Sequence, residues 1–156
     1  MTVNNIVTLL KEQHKTLATA ESLTGGLVAD AIVSIAGASE VFLGGIVSYT
    51  DAVKTSLLGV QETTLAAHTA ISAEVAAEMA EGARRRLGSD YAVSTTGLAG
   101  PGGGSDGKPV GTVFVAIASP TETRVYPLHF AGTREEIRKK TVEFSIVSLQ
   151  KRLTNT

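Results

Sequence analysis

The stretch Thr16-Leu17-Ala18-Thr19-Ala20-Glu21-Ser22-Leu23-Thr24-Gly25-Gly26-Leu27 decides the fold. Thr16–Glu21 reads as a short strand, the glycine pair as a turn, and Leu27, Ile32 and Ile35 as the apolar face of the next helix. A strand running straight through a turn into a helix is the building unit of sheets covered by helices. Upstream, Val3, Ile6 and Leu10 lie at helical spacing behind Thr2, a good N-cap, and predict a helix from residue 3 to about 14. Downstream, Val41–Thr50 reads as a strand, ending where Asp51 can cap a short helix through Leu58. Ser72 to Leu87 carries Val75, Met79, Ala83 and Leu87 at i, i+4 spacing and stops at Gly88. Tyr91–Thr96, Thr112–Ala118 and Arg124–Phe130 are rich in strand formers. Val142, Ile146, Leu149 and Leu153 form the expected buried stripe of a last helix beginning near Thr133. The alternation predicts a three-layer α/β/α sandwich on a mostly parallel, mixed sheet, with one antiparallel pair between the closely spaced Thr112–Ala118 and Arg124–Phe130.

Composition agrees with that architecture. The 156 residues are the size of one ordinary domain, so residues 1–156 are read as a single unit. With 43% hydrophobic and 19% charged residues the chain is too apolar for disorder; with 4% aromatics and no Trp, its core must be Ala, Val, Ile and Leu. Fourteen basic against fifteen acidic residues, net charge −1, argue against a nucleic-acid partner, which calls for a basic excess. The absence of cysteine excludes disulfides, thiolate metal sites and a Cys nucleophile. The segment from Val3 to Lys15 mixes polar and apolar residues, and no run approaches the ~20 apolar residues of a membrane span. No membrane partner is expected, and the expected location is the cytoplasm.

Sites in open α/β sheets form at the carboxyl ends of strands, and three polar segments fall there: Glu21–Gly26, Tyr49–Lys54 and Thr95–Gly104. Ser22 enters a helix, where exposed N–H groups and the positive dipole end favour negative charge on its oxygen; it can equally be a plain helix cap. Gly25 and Gly26 inside a first turn each cost about 1 kcal/mol relative to Ala, which suggests close approach of a ligand or another backbone. Lys54 sits in a first turn, where a cation is disfavoured. It is either a solvated lysine or a base whose pKa must fall by about three units. Tyr49, at a strand end, can share the same space. Seven of the 16 glycines crowd between Gly97 and Gly111 with Pro101 and Pro109, marking a loop. Gly102 to Lys108 fits G-x-x-x-x-G-K, but Pro109 follows instead of Ser/Thr and a strand instead of a helix, so it is no phosphate-binding P-loop. No G-x-S-x-G elbow surrounds a serine, and Ser22 begins no S-x-x-K. His14, His68 and His129 are scattered, so neither metal nor cofactor is expected. Arg84, Arg85 and Arg86 read as a solvated last turn. Arg134 and Arg138, at i, i+4, are candidates for gripping a phosphate or else solvated.

Ala20-Glu21-Ser22-Leu23-Thr24-Gly25-Gly26, Phe42-Leu43-Gly44-Gly45, Tyr49-Thr50-Asp51-Ala52-Val53-Lys54 and Thr96-Gly97-Leu98-Ala99-Gly100-Pro101-Gly102-Gly103 together resemble the CinA C-terminal domain family, in order over nearly the whole chain. The family includes the bacterial nicotinamide-nucleotide amidase, and the chain resembles its stand-alone form. The resemblance implies hydrolysis of nicotinamide mononucleotide to nicotinate mononucleotide and ammonia, in pyridine-nucleotide salvage, by a metal-free serine amidase. Ser22 would be the nucleophile, Lys54 the base, and Tyr49 an assistant. Thr96 and Gly97 would flank the carboxamide, and Thr24, Gly25, Gly26, Ala99, Gly100 and Gly102 would complete the substrate site with Arg134 and Arg138. It also implies a homodimer. Leu23 stands where the family often has Cys, and Thr50-Asp51 where it often has Ser-Asn; Asp51 could alter the charge felt by Lys54. The alternatives are a nucleotide-binding or regulatory module without turnover, and a generic serine hydrolase.

Overall fold

The computed structural model describes residues 3–105 and 107–155, with side chains from Asn5 onward. Thr2 and the side chain of Val3 lie outside the described residues. In chain order the elements are α1 (Val3–Gln13), β1 (Leu17–Glu21), α2 (Leu27–Val33), β2 (Phe42–Val47), α3 (Asp51–Leu58), α4 (Glu62–His68), α5 (Ala73–Leu87), β3 (Tyr91–Gly97), β4 (Thr112–Ala118), β5 (Thr123–His129) and α6 (Arg134–Thr154). The five strands form one sheet in the order β2-β1-β3-β4-β5. Helices α1, α2 and α6 cover one face and α3, α4 and α5 the other, the expected three layers.

Strands β2, β1 and β3 are parallel neighbours; β4 is antiparallel to both β3 and β5. One reversed strand among four co-directional ones keeps the sheet mostly parallel, but it makes two antiparallel ladders where the sequence predicts one. The reason is the glycine loop. It returns the chain beside β3 without a crossover helix, its neck closed by Leu98 N–H to Thr112 O (2.9 Å) and Gly111 N–H to Leu98 O (2.7 Å).

The faces of the sheet differ in side-chain size, as strand alternation requires. Leu17, Tyr91, Val93, Val113, Val115 and Ile117 meet α1 and α6, whereas Ala18, Ala20, Ala92, Ala116 and Ala118 meet α5. Small side chains let α5 approach the sheet closely. Gly82 lets it come equally close to α3, since an added Cβ there would collide with the Leu58 carbonyl oxygen.

Several boundaries depart from the sequence reading. The cap of α3 is Thr50, whose hydroxyl accepts the Val53 N–H (3.4 Å), and Asp51 is the first helical residue. Helix α4 was not expected, because none of its residues is buried and it carries no apolar stripe. In α6 the buried face is Ile137, Thr141, Ser145, Leu149 and Leu153, with Val142 and Ile146 only half-buried on its flank. Thr141 and Ser145 tolerate burial by donating to the carbonyls four residues back (2.7 and 2.8 Å). Arg86 is not simply solvated: its guanidinium donates to Leu57 O (3.0 Å) and Ser56 O (3.2 Å) at the end of α3. Among the described residues no helix is long and apolar enough to cross a membrane.

Candidate active site

The carboxyl ends of β1, β2 and β3 point to one region, as parallel neighbours must, and the polar segments after them meet there. Ser22 follows the last residue of β1. It does not cap α2, whose N-cap is Gly26, at φ 106°. Instead the main-chain N–H of Ser22 is tied to β3 through Thr95 O (3.0 Å), which fixes the turn against the sheet.

The dipole end of α2 is not open to Ser22 either. Glu21, 1% exposed, turns its carboxylate into that helix and accepts the N–H groups of Val28 (2.8 Å, Oε1) and Ala29 (3.0 Å, Oε2). Gly25 and Gly26 carry positive φ (58° and 106°), which lets the chain wrap round this carboxylate; neither borders the cavity beside Ser22. Their conformation serves the turn.

Lys54 reaches the same place from α3. It is only 1% exposed, and its Nζ lies 3.2 Å from Ser22 Oγ, 2.9 Å from Ser48 O and 3.3 Å from Tyr49 O. Among the described residues no carboxylate stands within salt-bridge distance of it. Burial pushes the Lys54 pKa below the ordinary lysine range because the charged form loses its water; the Asp51 carboxylate, one turn back, partly opposes this. The solvated-lysine alternative is thereby excluded.

Ser22 and Lys54 open into a cavity of about 300 Å³ whose wall includes Tyr49, Asp51, Ala70, Ile71, Gly97, Ala99, Gly100, Gly102 and Arg134. Six of the expected site residues besides Ser22 and Lys54 are thus brought together: Tyr49, Gly97, Ala99, Gly100, Gly102 and Arg134. Arg134 donates to Gly100 O (2.8 Å) and to the Tyr49 hydroxyl (3.2 Å), bracing the glycine loop at the rim. Tyr49 meets Lys54 through its carbonyl, while its ring, 61% exposed, stands with Arg134.

Five expected contributors lie outside the cavity. Thr96 sends its hydroxyl to the opposite face of the sheet, to Ala70 O (2.7 Å), because alternation along β3 puts Thr95 on the Ser22 side. Thr24 is fully buried in the turn. Arg138 borders no part of the cavity; its Nε donates to Leu23 O (2.8 Å), so the guanidinium holds the Ser22 turn from outside the site. Gly25 and Gly26 stay in the turn round Glu21. Sequence reasoning in turn missed Glu21, Ser48, Thr95, Ala70 and Ile71. For Glu21 and Thr95 a signal existed, since each opens a polar segment at the end of a strand; for Ser48, Ala70 and Ile71 there was none. Among the described residues no three His, Asp or Glu side chains gather to hold a metal.

Fold and site together define a class: an α/β sandwich with a buried serine–lysine pair at the carboxyl ends of its parallel strands. The sequence matches the CinA C-terminal domain over residues 1–153, and the chain belongs to that family. It is 45% identical over 148 residues to a CinA-like protein of Thermotoga maritima, covering 95% of this chain and 36% of that protein. A CinA-like protein of Geobacter sulfurreducens is 47% identical over 148 residues, with the same coverage of 95% and 36%. The chain thus spans about a third of the length of these curated relatives. Among solved structures, a CinA-superfamily protein from Klebsiella pneumoniae superposes with a TM-score of 0.95 at 32% identity, covering 99% of this chain and 96% of that one. A competence/damage inducible protein from Agrobacterium tumefaciens gives 0.94 at 39% identity, covering 97% and 93%.

Proposed function

We propose that this chain hydrolyses the carboxamide of nicotinamide mononucleotide to nicotinate mononucleotide and ammonia, as a homodimer, with Ser22 as nucleophile and Lys54 as base. The observation that carries the reading is the buried pair itself, Lys54 Nζ at 3.2 Å from Ser22 Oγ on a cavity wall. A neutral amine has two N–H bonds and one lone pair. The carbonyls of Ser48 and Tyr49 accept the two N–H groups, which leaves the lone pair for the Ser22 hydroxyl proton.

Lys54 takes that proton as Oγ attacks the carboxamide carbon, and the carbonyl becomes a tetrahedral oxyanion. The Leu23 and Ala99 N–H groups, on cavity-wall residues and without a main-chain acceptor among the described residues, are available to that oxyanion. Lys54 then passes the proton to the departing nitrogen, the C–N bond breaks, ammonia leaves and Ser22 carries the acyl group. Water attacks this ester, its proton going to Lys54 and on to Ser22 Oγ as the acid departs. The residues use no metal and no cofactor in this sequence.

The substrate class is supported by family membership and by the charges at the cavity. Arg134 at the rim suits a phosphate, and the Asp51 carboxylate on the same wall suits a cationic pyridinium ring. The test is to incubate the purified chain with nicotinamide mononucleotide, without added metal, and to measure ammonia and nicotinate mononucleotide. Equimolar formation of both is expected; folded protein that forms neither overturns the proposal.

A further inference from the structure

Glu21 is a buried carboxylate with no cationic partner among the described residues, and it lies one residue before the proposed nucleophile. Besides the two N–H groups of α2 it accepts the Thr24 hydroxyl on Oε1 (2.6 Å). Thr24 Oγ1 is 2.8 Å from Thr95 Oγ1, and Thr95 Oγ1 is 3.3 Å from the main-chain nitrogen of Ser22. All three residues are buried: Thr24 and Thr95 are 0% exposed and Glu21 1%.

Both oxygens of Glu21 accept main-chain N–H groups, Oε1 from Val28 and Oε2 from Ala29, and this fixes the sense of every bond in the chain. The Thr24 proton is committed to Oε1. The Thr24 oxygen therefore accepts from the Thr95 hydroxyl, whose proton is then used. The Thr95 oxygen is left to accept the Ser22 N–H, which it shares with Thr95 O. A carboxylate thus reaches the backbone of the nucleophile through two hydroxyls, each with a single orientation. On the other side of the turn Arg138 holds the Leu23 carbonyl.

We propose that Glu21, relayed by Thr24 and Thr95, is the positioning group that sets Ser22 Oγ against Lys54; this rests on the amidase reading for the role of Ser22. Misplacement of a reacting atom by about 1 Å costs on the order of a hundredfold, so the chain acts on the chemical step and not on substrate affinity.

Glu21 also caps α2, so the discriminating variant is Thr95→Val, which keeps side-chain shape and removes only the link. We expect it to lower kcat by about tenfold or more with KM within about twofold, and Thr95→Ser, which restores the hydroxyl, to recover most of the loss. Thr24→Val cuts the chain one link earlier and gives the same pattern if Thr95→Val melts below the assay temperature. Covalent labelling of Ser22 by a fluorophosphonate, followed by intact mass, reads the same positioning without an amide substrate, and is slowed in parallel. Labelling as fast in both valine variants as in the wild type overturns the proposal, as does a loss confined to KM. A wild type that labels but releases no ammonia sinks only the amidase reading, and the labelling rates still decide the role of Glu21. A wild type that does neither overturns both.

Discussion

Replacing Lys54 with methionine removes the amine while keeping an unbranched chain of similar length in the same buried channel. Its structural effect is small by cancellation. Ser48 O and Tyr49 O lose their Lys54 donor and Ser22 Oγ its neighbour, and ordinary hydrogen bonds contribute about 0.5–1.5 kcal/mol each. Against this, the burial that depresses the lysine pKa no longer has a charge to penalise. A net stability change within about 2 kcal/mol in either direction follows. The catalytic effect has nothing to cancel it. A positioned base contributes roughly 10²–10⁴ in rate, equal to about 3–5 kcal/mol of barrier, and no other titratable group lies within hydrogen-bond distance of Ser22 Oγ among the described residues. Ammonia release as a function of nicotinamide mononucleotide, read beside a thermal melt, should show kcat reduced by at least about a hundredfold with KM little changed. A folded Lys54→Met protein with kcat within about threefold of wild type would mean that another group is the base.

In the wild type, kcat/KM should rise with pH through the Lys54 titration and level off below the ordinary lysine range, since only the neutral amine accepts a proton. Asp51→Asn removes the carboxylate that favours the charged form, so the rising limb should move to lower pH; a limb that stays put or moves up contradicts the assignment. Stability carries the same sign: the unfolded chain keeps the lysine proton to about pH 10.4, the folded chain loses it earlier, so stability should increase with pH through that window in chemical denaturation. Arg134→Ala should raise KM for the mononucleotide and narrow its preference over the riboside, whereas Arg138→Ala, which releases the Leu23 carbonyl, should lower kcat on both; steady-state kinetics on the two substrates separate these outcomes. Gly82→Ala forces a Cβ against the Leu58 carbonyl and should destabilise by about 1–3 kcal/mol in thermal melts, leaving kcat of the folded fraction unchanged.

What the sequence revealed and what it hid follow from the range of the interactions. Strand–turn–helix punctuation around Gly25-Gly26, the stop at Gly88 and the β-branched strands are local signals, and they located the layers and the strand ends where Ser22 and Lys54 meet. Pairing of β3 with β4 depends on how a long loop returns, and no local pattern reports that. The polar face of α6 was hidden because Thr141 and Ser145 satisfy themselves within their own helix. At the site, residue type misled where partners are distant in sequence. Arg134 and Arg138 share a helix turn, yet one faces Gly100 and the other Leu23. Thr95 and Thr96 are adjacent, and a difference of one position in a strand put the expected residue on the opposite face.

Attack of Ser22 on the carboxamide without a metal leaves a covalent trace that can be caught during turnover. Protein mixed with excess nicotinamide mononucleotide in EDTA is quenched in acid within the first turnovers, and the Ser22-containing peptide is weighed by mass spectrometry while ammonia is measured in parallel. Ammonia release should be unaffected by EDTA, and the peptide should be heavier by the substrate less ammonia; Ser22→Ala should show no such adduct and release no ammonia. Turnover by Ser22→Ala at the wild-type rate, or activity lost in EDTA and restored by a divalent metal, would contradict a metal-free serine attack.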